Sequence, residues 1–282
     1  MDENSSQIGE VADEALNRPM ISAVMINTND KYFPRMCIEA FARSKVEFPM
    51  EFIVVDHAST DPISTGYVDK AEKEGRIRVA RAGANLGFAK GNNLGAKLAR
   101  GKYILIINPD VALQEDTLQK MVDYMEAHSE VGVLGPKLVY PNDEVQDSCR
   151  REMTFTDLVI KRTFLKRIPS LRKRVEKYTM NDFDHSVTQE VELLVGALLL
   201  IPRSLYEQIG GFDERYFLFM EDFDLSRTIR GLGKKAVYFH ETFAVHNHKR
   251  LSGGLFFKIL FKKTFWIHVM SAFKYFWKWR KA

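Results

Sequence analysis

The chain has 282 residues, 45% of them hydrophobic and 28% charged, a composition that supports a large folded core and excludes a disordered polar chain. Its net charge of +4 is unevenly placed: from Lys249 onward there are nine Lys/Arg and no Asp or Glu, so residues 1–248 carry −5. The two cysteines, Cys37 and Cys149, lack metal-ligand spacing and point to a reduced cytosolic compartment, and no apolar run approaches the roughly 20 residues of a bilayer-spanning helix.

Residues 1–18 are polar and acid-rich, which predicts a disordered leader with no signal peptide. Short apolar runs then occur at Ile21–Ile26, Phe52–Val55, Ile77–Ala80 and Tyr103–Ile107, with helical patterns near 34–45, 66–74, 89–100 and 115–128. Repeated strand–helix–strand units predict an α/β fold, a twisted and mostly parallel sheet flanked by helices. Ligands of such sheets bind beyond the carboxyl ends of the strands. Here those ends are polar at every station: Asn27-Thr28-Asn29-Asp30, Asp56-His57-Ala58-Ser59-Thr60-Asp61, Asn85 to Asn93, and Asn108-Pro109-Asp110. One such end reads equally as a helix cap, but four around one sheet edge suggest a cleft.

The middle of the chain, 141–190, carries a basic run from Lys161 to Lys177, expected to be a helical excursion. It is either a solvated surface or a patch for anionic lipid or a phosphate-bearing acceptor. Val191–Ile201 reads as an apolar strand broken at Gly196, followed by a short helix from Arg203. The stretch GGFDERYFLFMEDFDLSRTIRGLG, residues 210–233, sets Asp213, Glu221, Asp222 and Asp224 among aromatic residues where an amphipathic helix begins. A helix entrance favours the ionised carboxylate, which suits Asp222 as a general base; the alternative is that Asp222 only caps the helix. Two brief strands are expected at Ala236–Phe239 and Phe243–Val245, ending at His246.

The tail from 255 to 282 holds ten aromatic residues, including Trp266, Trp277 and Trp279, interleaved with lysines. Lys and Arg with Trp and Phe and no acid is the composition of a helix lying on a membrane surface. The alternative is a helix packed on the preceding domain.

Taken together, the segments VMINTND, VVDHASTD, NLGFAKGNN, IINPD, VGALLLIPR and GGFDERYFLFMEDFDL, with the later His246, make the chain resemble the family 2 glycosyltransferases of GT-A fold. It is most similar to bacterial rhamnosyltransferases that extend lipid-linked polysaccharide precursors. The resemblance implies a Rossmann-like domain over 19–250, with a nucleotide-sugar half at 19–110 and an acceptor-binding, catalytic half at 111–250. Residues 251–282 then form a C-terminal membrane-associating helix. It further implies that Asp56 contacts the base or ribose, with Asn27 and Thr28 walling that pocket, and that Asn85, Lys90 and Asn92 line the donor side. Asp110 and His246 would hold Mg²⁺ or Mn²⁺ on the donor diphosphate, Asp222 would be the base, and Glu221 would assist it. Two departures stand out: Asn108 replaces the first Asp of the usual Asp-x-Asp, and His57 replaces an Asn.

The implied reaction is inverting transfer of a sugar from a nucleotide diphosphate donor, dTDP-rhamnose or else a UDP-hexose. The acceptor would be a glycolipid or polyprenyl-diphosphate-linked glycan at the cytoplasmic face of the plasma membrane. A nucleic-acid-binding module fits less well, because acidic and amide strand ends repel phosphates in the absence of a metal. A dinucleotide-dependent dehydrogenase would need G-x-G-x-x-G after the first strand, which is absent. Intact Asp110, Asp222 and His246 argue against a catalytically dead scaffold.

Overall fold

A computed structural model describes residues 18–247 and 262–280, without the side chains of Arg162, Phe164 and Lys166. The sequence reading of the leader, and of the boundary near residue 250, lies outside the described residues. Strands β1 (Ile21–Asn27), β2 (Met50–Asp56), β3 (Arg78–Arg81) and β4 (Tyr103–Ile107) alternate with helices α1 (Phe33–Ala42), α2 (Pro62–Lys73) and α3 (Phe88–Ala96). After β4 come β5 (Val111–Leu113), α4 (Thr117–Ala127), β6 (Val131–Val139) and β7 (Cys149–Arg150). The basic excursion folds as α5 (Phe155–Arg162), a 3₁₀ turn (Phe164–Arg167) and α6 (Pro169–Thr179). The chain continues through β8 (Gln189–Val191), β9 (Leu193–Leu194), β10 (Leu198–Pro202), α7 (Arg203–Gln208), α8 (Glu221–Gly231), β11 (Lys235–His246) and α9 (Lys263–Lys278).

The main sheet runs β3-β2-β1-β4-β10-β6-β11-β5, with β8 paired to β11. Its first four strands are parallel, β10 reverses direction between β4 and β6, and β11 returns parallel to β6. Alternation along each strand divides the core between two faces. Tyr103, Leu105 and Ile107 of β4 join α1, α2 and α4 through Ile38, Val68 and Met121, whereas Ile104 and Ile106 join α3, α7 and α8 through Ala89, Leu205 and Leu225. The mostly parallel sheet is thus sandwiched, as expected, and its strand ends converge on one edge.

Two expectations are corrected. The apolar stretch 191–201 is three strands, because Ala197 N–H donates to Val195 O in a tight turn and throws β10 into a different place in the sheet from β8. The two brief strands after Lys235 are one strand, β11, whose register against β6 shifts between Phe239 and Phe243.

Candidate active site

Four chain segments meet at the carboxyl edge of the sheet. At the first, β1 and β2 end side by side with Asn27 opposite Asp56. Asn27 is fully buried, and its amide donates to Asp56 Oδ1 at 3.0 Å and to Ser64 Oγ at 2.9 Å. It therefore orients Asp56 rather than touching a ligand. Asp56 Oδ2 accepts from Ser59 N–H at 3.0 Å, which curls the Asp56–Asp61 loop, and Thr28 is exposed at the rim. Asn29, in the left-handed region at φ 59°, accepts from the Thr60 and Asp61 amides and ties the two strand ends together.

The second segment is the entrance to α3. Asn85 Oδ1 accepts from Gly87 N–H, and Gly87 has φ 79°. A Cβ there would stand 2.3 Å from Phe217 O, so only glycine permits this approach. Lys90 is exposed on the first turn, while Asn92 is buried and returns its amide to Phe88 O. Asn92 thus shapes the helix instead of opening into the cleft. His57 is 5% exposed, packed where a Cβ on Gly91 would stand 2.7 Å from its Nε2, and burial pushes its imidazole below its ordinary value. At this position the histidine is a neutral packing residue between β2 and α3.

The third segment joins β4 to β11. Asn247 N–H donates to Asp110 O, Val111 pairs with His246, and Asp110 Oδ1 lies 3.4 Å from His246 Nε2. Gln146, which the sequence does not single out, decides which ring nitrogen faces Asp110. Its amide nitrogen donates to His246 O and Val139 O, so its oxygen must face His246 Nδ1, at 2.9 Å, and Nδ1 must carry hydrogen. In the neutral ring Nε2 then presents a lone pair toward the Asp110 carboxylate. One imidazole nitrogen and one carboxylate so placed suit Mg²⁺ or Mn²⁺ whose other ligands are substrate phosphates and water. The described residues contain no group of three or more His, Cys, Asp and Glu arranged for a metal.

The fourth segment is the start of α8. The cap position falls on Met220, so Asp222 is not the cap. Asp222 keeps partial solvent access and accepts from Gly196 N–H at 2.9 Å and from Phe223 N–H at 2.9 Å. A Cβ on Gly196 would stand 3.0 Å from Asp222 Cβ, so the break in the apolar run is the place where the strand turn admits the carboxylate. On its other side that turn accepts, through Ala197 O, from Asn108 N–H at 2.9 Å. Asn108, Gly196 and Asp222 are therefore neighbours, although they lie far apart in sequence.

Desolvation raises the Asp222 carboxyl above its ordinary value, against the lowering effect of its two amide donors and of Arg150. Glu221 is 4% exposed with Oε2 buried and unbonded, and burial, then the neighbouring Asp222, pushes it up to about 8. The helix entrance does not keep Glu221 ionised; loss of water outweighs the dipole. Of the pair, Asp222 has two amide donors that favour its anion, whereas the buried Oε2 of Glu221 has none.

Asp224 lies two residues on, rotated to another side of the helix. It is 2% exposed and accepts from Lys278 Nζ at 2.7 Å, Trp279 Nε1 at 2.8 Å and Tyr216 OH at 3.2 Å. The tail helix α9 is thus latched to α8, and Arg227 lies 4.5 Å from the Trp279 ring. Asn93, also unflagged by sequence, holds the preceding loop: it bonds Phe212 N and O and the Tyr206 hydroxyl.

The model of the family described as Glycosyl transferase family 2 matches residues 22–209. The chain belongs to glycosyl transferase family 2. The matched span ends before α8, so Asp222 is placed by the fold and not by that match. Among similar proteins is an N-acetylglucosaminyl-diphospho-decaprenol L-rhamnosyltransferase of Mycobacterium tuberculosis, 28% identical over 241 residues, 79% of this chain and 75% of that one. Rhamnosyltransferase WbbL of Escherichia coli is 25% identical over 207 residues, 69% and 71% of the two chains.

Among solved structures, GalNAc-T7 with UDP, GalNAc and Mn²⁺ has a TM-score of 0.64 at 14% identity, over 83% of this chain and 45% of that one. The mannosyltransferase PcManGT of Pyrobaculum calidifontis, with GDP-Man and Mn²⁺, has a TM-score of 0.56 at 19% identity, over 83% and 58%. This chain thus spans about half the length of those two proteins, and at such identity the likeness establishes the GT-A fold.

Proposed function

We propose that the protein is an inverting, metal-dependent glycosyltransferase that moves a sugar, rhamnose from dTDP-rhamnose, to a polyprenyl-diphosphate-linked glycan acceptor in cell-surface polysaccharide synthesis. One observation carries the reading: the Gly196–Ala197 turn hydrogen-bonds Asp222 on one side and Asn108 on the other, which sets the Asp222 carboxyl group beside the strand end that carries Asp110. Asp56 would meet the nucleoside, while Lys90 and Asn85 would border the diphosphate. Asp110 and His246 would hold Mg²⁺ or Mn²⁺, which supplies countercharge to the departing diphosphate.

The acceptor oxygen attacks the anomeric carbon as the bond from that carbon to the donor phosphate oxygen breaks. The nucleoside diphosphate leaves with the bonding electrons, and the acceptor's hydroxyl proton passes to Asp222. A single displacement inverts the anomeric configuration. Asp222 suits this role because two amide N–H groups fix it, its raised carboxyl is a stronger base than a solvated one, and its neighbour Glu221 does not compete for the proton.

Membrane association at the cytoplasmic face would bring the acceptor lipid to this cleft. No helix among the described residues is long and apolar enough to cross a membrane. In support of surface attachment, α9 docks by one face while Trp266, Val269, Met270, Phe273 and Trp277 are exposed along another, at helical spacing.

A screen of nucleotide sugars for transfer, with Mg²⁺ or Mn²⁺ and an isoprenoid-diphosphate glycan, tests the reading. dTDP-rhamnose is expected to be the active donor, and a UDP-hexose preferred over it would replace that assignment. Asp222→Asn should lower kcat by on the order of 10²–10⁴-fold with donor affinity kept. Near-normal turnover in that variant would remove Asp222 from the role.

A further inference from the structure

Between α9 and the loop that leads into α8 lies a groove of about 240 Å³, walled by Phe217, Trp266, Ile267 and Met270. Both charged residues on its walls, Lys263 and Lys274, are basic. Its inner side is fixed: Ser271 Oγ donates to Leu218 O at 2.9 Å and Lys274 Nζ to Arg215 O at 2.7 Å. Phe217 is 41% exposed, Trp266 55% and Met270 53%, so this apolar lining faces solvent. Solvent-facing apolar walls with cationic ends are complementary to a hydrocarbon chain that carries phosphate.

Bulk phospholipid and an isoprenoid diphosphate share that chemistry, but the groove's position favours the second. Trp266 and Met270 belong both to the groove and to the outward stripe of α9, so the groove opens from the side that would face lipid. At its other end Phe217 O accepts from Phe88 N–H of α3, and the same loop runs directly into Glu221 and Asp222. A lipid seated here has its head group delivered toward the base, which a bulk lipid has no need of. We infer that the groove between α9 and Phe217 is the binding site for the isoprenoid chain of a diphosphate-linked acceptor. The inference rests on the acceptor reading above, but it is testable without turnover.

The probe is farnesyl diphosphate, a short isoprenoid diphosphate, titrated into the full-length protein without vesicles and read by tryptophan fluorescence and calorimetry. The wild type should bind it saturably, and farnesol, which lacks the diphosphate, more weakly. Met270→Glu sets a carboxylate on an already exposed wall and should weaken binding by about tenfold or more. Trp277→Ala, on the outward stripe but outside the groove, should weaken sedimentation with vesicles of phosphatidylcholine and phosphatidylglycerol while farnesyl diphosphate affinity is kept. An unaltered circular dichroism spectrum and melting temperature establish that each variant is folded. Undiminished probe binding by Met270→Glu would overturn the inference, as would equal loss in Trp277→Ala, which would make the stripe a general lipid surface. If the probe binds as expected but no sugar is transferred from any donor, the groove assignment stands and the transferase reading falls.

Discussion

Glu221 and Asp222 are adjacent acids with opposite fates, and the difference lies in access to water and amides. Asp222 receives two N–H donors and part of the solvent, whereas Glu221 Oε2 has neither. A carboxyl raised in the folded state, as Glu221 is to about 8, adds stability that is fully present below the ordinary carboxylate range and is lost as pH rises through the folded value. Wild-type melting temperature should therefore decline from mildly acidic pH to above pH of about 8, and Glu221→Gln should flatten that decline. A decline of the same size in the variant would place the titration elsewhere.

Gln146 makes a second residue-scale prediction. Because its amide fixes the hydrogen on His246 Nδ1, Gln146→Met should leave the protein folded but reduce Mn²⁺ affinity in the presence of nucleotide by roughly 10–100-fold, read by the EPR signal of free Mn²⁺. Unchanged affinity would show that His246 needs no such orientation.

Among the elements, the turn before α8 is the costliest to build. Phe219 and Met220 are both left-handed, at φ 71° and 70°, a conformation that costs non-glycine residues about 1–3 kcal/mol each. Neighbours over-determine it: the Phe219 ring stacks on His268 at 4.5 Å, Leu218 O accepts from Ser271, and Met220 is buried with Tyr216 and Tyr275. All three supports draw on α9, through His268, Ser271 and Tyr275, and α9 also holds Asp224 through Lys278 and Trp279. Lys278→Met strips a buried carboxylate of its cation and should cost on the order of 2–3 kcal/mol, with kcat reduced more than donor affinity. Lys278→Arg should restore most of both. Equal loss in the arginine variant would mean that shape, not charge, matters at this contact.

On the scale of the whole molecule, charge is segregated: an acidic body with the candidate-site carboxylates, and a basic aromatic tail. That separation should make vesicle binding depend on anionic lipid and weaken as salt rises, since exposed charges are screened within about 8 Å at physiological ionic strength. Truncation after Arg250 should abolish co-sedimentation with anionic vesicles. It should also lower turnover on a short soluble acceptor, because the removed residues include Lys278 and Trp279. Full activity of the truncated protein on that acceptor would confine the tail to attachment alone.

Both readings of the tail, a surface helix and a packed helix, have physical counterparts on α9. Docking is visible at Tyr275, Lys278 and Trp279, and the exposed stripe on the other side remains available to lipid.

Much of this was legible in sequence because it is periodic. Buried strands announce themselves as apolar runs, so β1, β2 and β4 fall where the pattern places them, and their polar ends mark the cleft. The central strand β6 escaped that reading because Gly132, Gly135 and Pro136 interrupt it. The glycine at 132 is needed where a Cβ would stand 2.5 Å from Ile229 of α8. Sequence alone therefore determined the layered α/β plan, the family, and a short set of acids and amides at strand ends, all of which follow from local pattern and composition. Only the tertiary structure decided which of those groups are dry, which nitrogen of His246 faces Asp110, and that Asp224 belongs to the tail. Desolvation and hydrogen-bond geometry are set by residues far apart in the chain, such as Gly196 against Asp222 and Gln146 against His246, and no local pattern encodes them.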